Sequence, residues 1–368
     1  MGVRGKKIAF VIPNMACGGA EKNLELLSHV AVQQGIAVDI VCLKAEGELL
    51  ENLAPQVRVV DLKLRRFRYV PRAFAHYLQQ HQPDWVFVNM WPLTCLCILG
   101  RVMARSRTPL SLIDHNNLAF YLRHRGWSYR TLLRLAMAWA YRVADDRIAV
   151  SQGVANQLAD FVGMARKRWR VIHNPVRQFD PVKDAANEEV EAAWATPPGK
   201  RILSVGALKE EKNFPLLIEA LVQLESSPDA VLMILGEGAL REPLTKLAQQ
   251  LGVADRVRLP GFCANPMPYY ASADLFILSS NAEGFGNVIV EALSADTPVI
   301  ATDCDFGPAE ILQNGRYGTL VSTHDVTAMV QAIEEHFSTP KAAQGRPQRA
   351  KDFDPEVILR QYLQVMVG

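Results

Sequence analysis

The chain has 368 residues, 49% hydrophobic and 21% charged, which excludes collagen-like, coiled-coil and mostly disordered architectures and leaves room for two domains. The net charge of +2 hides an asymmetry: residues 1–180 carry 25 Lys and Arg against 13 Asp and Glu, and the remainder carries 15 against 25. A basic half and an acidic half point to two modules with different partners. Six cysteines (Cys17, Cys42, Cys95, Cys97, Cys263 and Cys304) form no C-x-x-C pair and have no His cluster beside them. Neither a zinc site nor a disulfide framework follows, and a reduced cytosolic protein is expected.

Lys6-Lys7 followed by Ile8-Ala9-Phe10-Val11-Ile12 imitates a secretion signal, but Pro13 and Asn14 end the apolar run after about seven residues, so it reads as a first strand. Short β-rich runs then alternate with helical patterns, as parallel βαβ units require. Strands are predicted at Lys7–Ile12, Val38–Leu43, Val57–Leu62, Trp85–Val88, Leu110–Ile113, Arg147–Val150 and Arg170–Ile172. Helical spacing marks Glu21–Gln34, Pro71–Gln80 and Arg130–Val143. The apolar stretch Trp85 to Gly100 is interrupted by Asn89 and Pro92 and is shorter than the ~18–20 residues a membrane span needs, so no transmembrane helix is expected. The polar run Gln178 to Lys200, with Pro197-Pro198-Gly199, reads as a linker. Alternation restarts with Arg201–Val205, Phe214–Leu224, Val231–Leu235, Leu240–Leu251, Val257–Leu259, Leu275–Leu278, Val288–Ala295 and Val299–Ala301, a second α/β domain. An amphipathic stretch, Pro355–Val367, follows the loop-like Ser338–Arg349 and is expected to dock back onto one of the two domains.

Open parallel sheets bind ligands beyond the carboxyl ends of their strands, which directs attention to four loops. In Pro13 to Glu21, Gly18-Gly19 lets backbone approach a ligand at a helix start; the same pair is also an ordinary turn, and it is not the G-x-G-x-x-G of a dinucleotide site. In Val205 to Asn213, Gly206 precedes Lys209 and Lys212, cations for a phosphate or a solvated Lys/Glu turn. The segment Ser279 to Glu291 says most. Gly284 and Gly286 sit just before a helix whose first amides can cradle a diphosphate, with Glu283 in the loop and Glu291 eight positions on. A carboxylate accepts paired hydrogen bonds from a diol, although Glu291 is also favoured simply by the helix dipole. The fourth loop, Thr302 to Glu310, starts another helix with Pro308.

Gly18-Gly19-Ala20-Glu21, Gly206 through Lys212, Gly236-Glu237-Gly238 and Glu283-Gly284-Phe285-Gly286-Asn287-Val288-x-Val290-Glu291-Ala292-Leu293 together resemble the family-four glycosyltransferases of the GT-B class. Thr297 to Asp303 and Gly307 to Leu312 extend the likeness over nearly the whole chain, in the family's order. The resemblance implies an α/β GT-B fold: two Rossmann-like domains with parallel sheets facing a central cleft, and a C-terminal helix crossing back to the N-terminal domain. Residues 1–180, with helix 354–368, would form the acceptor and membrane-side domain, and residues 199–338 the nucleotide-sugar domain. By the same resemblance Glu291 would bind the ribose, the amides of Phe285, Gly286 and Asn287 the diphosphate or sugar, and Glu283 the donor-sugar hydroxyls. Lys212 would neutralise the departing phosphate, Gly18, Gly19 and Gly206 would lie near the diphosphate, and His115 would reach the donor sugar. The family retains anomeric configuration, and helix amides and lysine would stabilise the leaving group with no metal and no cofactor. The implied activity is transfer of a hexose or N-acetylhexosamine from a nucleotide-sugar, a UDP-sugar by family frequency, to a lipid-linked or cell-surface glycan.

Two positions depart from the family pattern. Ala207 stands where Arg usually follows the glycine, so Lys209 or an arginine of the basic half is the substitute cation. Asp296 stands where Gly commonly follows the helix, and only a structural effect is expected there. Basic residues interleaved with aromatics (Arg65, Arg66, Arg68 and Arg72; Arg123, Arg125, Trp127 and Arg130) suit an anionic membrane surface. A peripheral position on the inner face of the cytoplasmic membrane is therefore expected. No nucleic-acid module is apparent, and nucleic acid is not an expected partner. The competing readings are a catalytically silent GT-B scaffold, which Ala207 alone supports, and a nicotinamide oxidoreductase, which the missing G-x-G-x-x-G opposes.

Overall fold

The computed structural model describes residues 5–16, 18–115, 117–195, 200–339 and 345–367. Cys17, Asn116, Pro197-Pro198-Gly199 of the expected linker and residues 340–344 of the expected loop lie outside them. Contacts divide the chain into two compact units, Met1–Val176 with Phe353–Gly368, and Arg177–Asp352.

The first unit contains β1 (Lys7–Ile12), α1 (Gly19–Gln33), β2 (Ala37–Cys42), β3 (Arg58–Asp61), α2 (Val70–His81), β4 (Trp85–Asn89), α3 (Leu93–Ala104), β5 (Leu110–Asp114), α4 (Leu118–Leu122), α5 (Trp127–Val143), β6 (Asp146–Ala149), α6 (Gln152–Val162) and β7 (Arg170–Val171). Its seven strands pair in parallel in the order β3-β2-β1-β4-β5-β6-β7. The near-continuous burial of β1, β2, β4 and β5 explains why they read as apolar runs rather than alternating ones: helices cover both faces of such a sheet. The second unit contains α7 (Glu188–Trp194), β8 (Arg201–Val205), α8 (Phe214–Val222), β9 (Val231–Leu235), α9 (Arg241–Gln250), β10 (Val257–Gly261), α10 (Met267–Ser272), β11 (Leu275–Leu278), α11 (Asn287–Ser294), β12 (Val299–Thr302), α12 (Pro308–Ile311), β13 (Thr319–Val321), α13 (Val326–Ser338) and α14 (Arg346–Ala350). Its six strands are also all parallel, in the order β10-β9-β8-β11-β12-β13. In each sheet the chain reverses direction of growth once, between β1 and β4 and between β8 and β11. In open α/β sheets such switch points are where ligands bind, beyond the carboxyl ends of the strands.

The closing helix, α15 (Pro355–Val365), packs beside α1 on the first sheet. Asp354 caps it, its carboxylate accepting from the Glu356 amide at 2.8 Å. Its apolar stripe Ile358, Leu359, Tyr362 and Leu363 joins the first core, where Tyr362 meets Phe87 edge-on at 5.1 Å and Phe87 stacks on Phe10 at 5.4 Å.

The structure adds elements that the spacing did not predict, α4, α6, α10, β13 and α13 among them, and departs from the sequence reading at three further stretches. The polar run 178–200 carries α7, whose Asn187 cap accepts from the Val190 amide at 3.0 Å and whose Trp194 is fully buried, its indole donating to Ser272 of α10 at 2.8 Å. The stretch 93–104 is a helix with no polar face for periodicity to detect: α3 buries Leu93, Cys97 and Ile98 yet leaves Leu99, Val102 and Met103 exposed. The expected loop Ser338–Arg349 includes the start of α14 at Arg346, and α13 runs to Ser338. Among the described residues no helix is long and apolar enough to cross a membrane.

Candidate active site

The second sheet's switch point brings the loops after β8 and β11 together. After β8 a single 3₁₀ turn, Glu210–Lys212, presents Lys212, and Asn213 reverses the chain in the left-handed region at φ 48°. The two loops are laced by main-chain and hydroxyl bonds: the Asn281 amide donates to Glu211 O at 2.8 Å, and Ser279 Oγ donates to Lys212 O at 2.7 Å. Lys212 Nζ then meets Glu283 Oε1 at 2.6 Å, and Ser280 Oγ donates to the same oxygen at 2.6 Å. Both charged groups are largely shielded from solvent, so their attraction is screened less than that of a surface pair. The cation assigned to phosphate and the carboxylate assigned to sugar hydroxyls are therefore partners of each other.

Glycines hold this geometry by close backbone approach. A Cβ on Gly236, at φ +153°, would fall 1.9 Å from Gly206 O, and one on Gly238 would fall 2.5 Å from Leu208 O. The Gly236-Glu237-Gly238 turn is thus a clamp on the β8 loop, reinforced by the Leu208 amide donating to Glu237 O at 2.9 Å. Gly307, at φ +106°, would place a Cβ 1.7 Å from Phe285 O, which packs the loop after β12 directly under the start of α11. Phe285 itself is buried, so its contribution to a ligand could only be main-chain. Gly286, in the left-handed region, is the N-cap of α11 and brings no side chain of its own to the first turn; such a helix start suits an anion.

Glu291 lies one turn further along α11. Its Oε2 accepts from the Tyr270 phenol at 2.8 Å, and burial next to this carboxylate raises the phenol well above its ordinary pKa. Lys209 is exposed on the same loop as Lys212. Cys304, beyond β12, is buried, and burial followed by the nearby Glu283 charge pushes its thiol up to about 12. Ser279, Ser280, Asn281 and Tyr270 were not singled out by the sequence reading. The first three follow a buried strand and precede Glu283, a position that could have flagged them; Tyr270 comes from a different helix and left no such signal.

In the first unit, the loops after β1 and β5 hold the remaining predicted residues. Gly18 caps α1, and the Glu21 carboxylate curls over it, so that a Cβ on Gly18 would lie 2.3 Å from Oε2. Burial raises the Glu21 pKa, opposed by its main-chain hydrogen bond. Gly19 opens the helix. The loop is tied down by the Met15 amide to Glu46 O at 2.9 Å and by Gly47, whose Cβ would strike Met15 O at 2.2 Å. His115 follows β5; its Nε2 lies 2.9 Å from Asn89 Oδ1, and since Asn89 Nδ2 donates to Val11 O, the imidazole is the donor. Burial lowers His115 to about 4, against an opposing bond with Asn174, so the ring is neutral at physiological pH. Neighbouring Asp114 accepts from the Tyr141 phenol and is raised by burial to about 6.

The basic clusters are surface features. Arg65, Arg66, Arg68 and Arg72 are all exposed, and the Arg68 guanidinium sits 4.8 Å over the Tyr69 ring. Arg123 packs at 3.8 Å over Phe120, Arg125 bridges the rings of Tyr121 and Tyr129, and Arg130 and Trp127 stand on the exposed first turn of α5. The same helix leaves Leu132, Leu135 and Trp139 exposed at spacings of three and four, one stripe on the face away from its buried Leu133, Met137 and Ala140. Among the described residues no three His, Cys, Asp or Glu side chains are grouped to hold a metal ion.

Two α/β units, each built on an all-parallel sheet that reverses its direction of growth once, are the GT-B design. Residues 17–177 match the family described as Glycosyltransferase Family 4, and residues 187–353 the one described as Glycosyl transferases group 1. The chain belongs to the glycosyltransferases built from these two domains. It is 32% identical over 232 residues to the N-acetylgalactosamine-N,N'-diacetylbacillosaminyl-diphospho-undecaprenol 4-alpha-N-acetylgalactosaminyltransferase of Campylobacter jejuni, a match spanning 62% of this chain and about three fifths (61%) of that relative. A second Campylobacter jejuni relative, an alpha-1,4-N-acetyl-D-galactosaminyltransferase named for a diphospho-undecaprenol-linked substrate, is 25% identical over 98% of both chains. The crystal structure of HepE from Anabaena in complex with UDP shares the fold at a TM-score of 0.81, with 23% identity over 98% of this chain and 99% of that one.

Proposed function

We propose that the protein is a retaining, metal-independent glycosyltransferase that moves a hexose or N-acetylhexosamine from a UDP-sugar to a hydroxyl of a lipid-linked or cell-surface glycan. The observation that carries this reading is the Lys212–Glu283 pair beside the start of α11. A nucleoside diphosphate arriving at that helix start offers Lys212 a second anion, and a sugar hydroxyl offers Glu283 a donor; the pair exchanges one mutual contact for two to substrate. Glycosyl transfer breaks the bond from the anomeric carbon to phosphate oxygen and forms one to the acceptor oxygen. The acceptor proton passes to the departing phosphate, whose growing charge Lys212 and the helix amides stabilise. Glu291, on the same helix, is assigned to the ribose, and Ser280 and Asn281 border the sugar.

The acceptor assignment is supported by the two Campylobacter relatives, whose names specify diphospho-undecaprenol-linked substrates. It is supported as well by the first unit's surface. From Leu118 to Ala144 the sequence has five arginines and no Asp or Glu, and the exposed stripe Leu132, Leu135 and Trp139 gives that basic face an apolar edge. This combination fits an anionic bilayer, at about 1 kcal/mol per Lys or Arg near the lipid. The Gly18-Gly19 loop and His115 are assigned to substrate binding by the first unit, the imidazole acting as a neutral hydrogen-bonding group.

Purified protein incubated with UDP-sugars and a polyprenyl-diphosphate-linked saccharide tests the reading. Transfer with the new linkage in the donor's anomeric configuration, undiminished by EDTA, is the expected result; inversion, or transfer dependent on a divalent cation, would sink it. Flotation with liposomes should require anionic lipid and weaken as salt rises, and Leu135→Glu should reduce it at every salt concentration.

A further inference from the structure

A cavity lies at the amino ends of β12 and β13, the opposite end of the second sheet from the loops after β8 and β11. It is open, has a volume of about 460 Å³ and is closed on one side by the end of α13 and the start of α14. That volume is in the range of small-molecule sites. Among the described residues its wall includes Arg316, Arg346, His336 and Tyr317 and no Asp or Glu, a basic hollow in the acidic half of the sequence.

Arg346 is the decisive residue. It is 9% exposed, and its Nε edge donates to Asp296 twice, to the main-chain oxygen at 3.1 Å and to the carboxylate at 2.9 Å. Among the described residues no partner meets its two Nη groups, although the residue lines the cavity. A buried guanidinium satisfied on one edge only, by a carboxylate that is itself mostly exposed, presents its other edge to whatever enters. Arg316, exposed at the rim, stacks 5.2 Å over the Tyr317 ring and supplies a second cation beside an aromatic surface. Asp296, which the sequence reading assigned only to ending a helix, does this at φ +60° and also holds Arg346 in place.

We propose that this cavity binds a small phosphate ester, the phosphate bridging the Nη edge of Arg346 and the side chain of Arg316, with the ester's polar body against Tyr317. A planar guanidinium fork matches phosphate oxygens two at a time, and the ring gives the organic portion a surface that inorganic phosphate cannot use. Asp296 is the internal competitor: the ligand phosphate and the Asp296 carboxylate draw on one cation. The site is independent of the transferase reading and stands or falls by binding.

Calorimetric titration of the full chain with glucose 6-phosphate and, separately, inorganic phosphate tests it. Glucose 6-phosphate should bind at least tenfold more tightly than inorganic phosphate. Arg346→Gln should weaken it tenfold or more. Asp296→Asn should tighten it several-fold, an effect opposite in sign to any loss of folding. Should Arg346→Gln fail to fold, Arg316→Ala, at an exposed position, should weaken binding about threefold or more. Lys212→Ala should leave the affinity unchanged, which separates this cavity from the loops after β8 and β11. Equal affinity for the two probes, loss of binding in Lys212→Ala, or indifference to both Arg346→Gln and Asp296→Asn would overturn the proposal.

Discussion

The strand ends of the two sheets are built with opposite chemistry. In the second unit the switch point concentrates formal charge: Lys212 and Glu283 in contact, beside a helix start whose N-cap is a glycine. In the first unit the loop after β5 presents a neutral imidazole tied to an amide, His115 with Asn89, and the one carboxylate at the start of α1 is folded over Gly18. Charge suits a diphosphate, whose departure builds more charge; neutral hydrogen-bonding groups suit hydroxyls. The same α/β plan thus carries two kinds of side-chain chemistry at its strand ends, because loops, not strands, supply it.

Replacing the cation should expose this difference most sharply. Lys212→Ala should lower kcat by about 10²–10³-fold, the usual loss for one preorganised electrostatic contact, while leaving the melting temperature within a few degrees. A drop of less than tenfold in single-turnover transfer would mean that the charged pair does not serve the leaving group.

Gly307→Ala probes the support under that site. With a Cβ 1.7 Å from Phe285 O at φ +106°, it should cost about 1–3 kcal/mol in strain and displace the start of α11, lowering both urea midpoint and donor affinity. An unchanged midpoint would show that the loop after β12 does not brace the helix.

Proton linkage distinguishes the first unit's loop. His115 is lowered to about 4 from an ordinary 6.5, so the unfolded chain holds its proton more firmly; the stability it contributes is full above about pH 6.5 and is lost as pH falls toward 4. Asp114 is raised to about 6 from 3.8, so its effect has the reverse slope, stability falling as pH rises from about 4 to 6. The adjacent residues offset each other. Asp114→Asn, which can still accept from Tyr141, should leave the His115 slope alone, and urea denaturation at pH 4.5 and 7 should then show a larger gain on raising pH than in the wild type. An equal gain in both proteins contradicts the assignment.

The smallest effect concerns Ala207. If Lys209 substitutes for the missing arginine, Lys209→Ala should raise the donor KM severalfold with little change in kcat. An unaltered KM, beside an inactive Lys212→Ala, would show that this exposed lysine does not make the substitution.

Strands were the most legible elements. β1, β8, β9 and β11 have the predicted limits because a strand covered on both faces is a short apolar run with polar ends, as Lys7–Ile12 and Leu275–Leu278 show. Helices were less legible: α6 and α13 bury regular apolar stripes and still escaped the reading, and helices that depart from the amphipathic pattern gave even less to read. In α3 the exposed side carries Leu99, Val102 and Met103, and α7 stands among polar residues with its purpose concentrated in the buried Trp194. Of the residues proposed for the site, Gly206, Lys212, Glu283 and Gly286 lie in loops after strands and Glu291 inside a helix, where the sequence reading put them.

The order of apolar runs and turn residues determined by itself that the chain forms two parallel α/β units, because burial of a strand and reversal at a glycine are local demands. Only the tertiary structure decided who meets whom. Lys212 and Glu283 are 71 residues apart and touch because β8 and β11 are neighbours at a switch point. Arg346 reaches Asp296 across 50 residues, and Tyr362 joins Phe10 and Phe87 from the far end of the chain. Pairings of that span depend on strand order and helix docking, which are settled by the packing of whole layers and have no counterpart in local spacing.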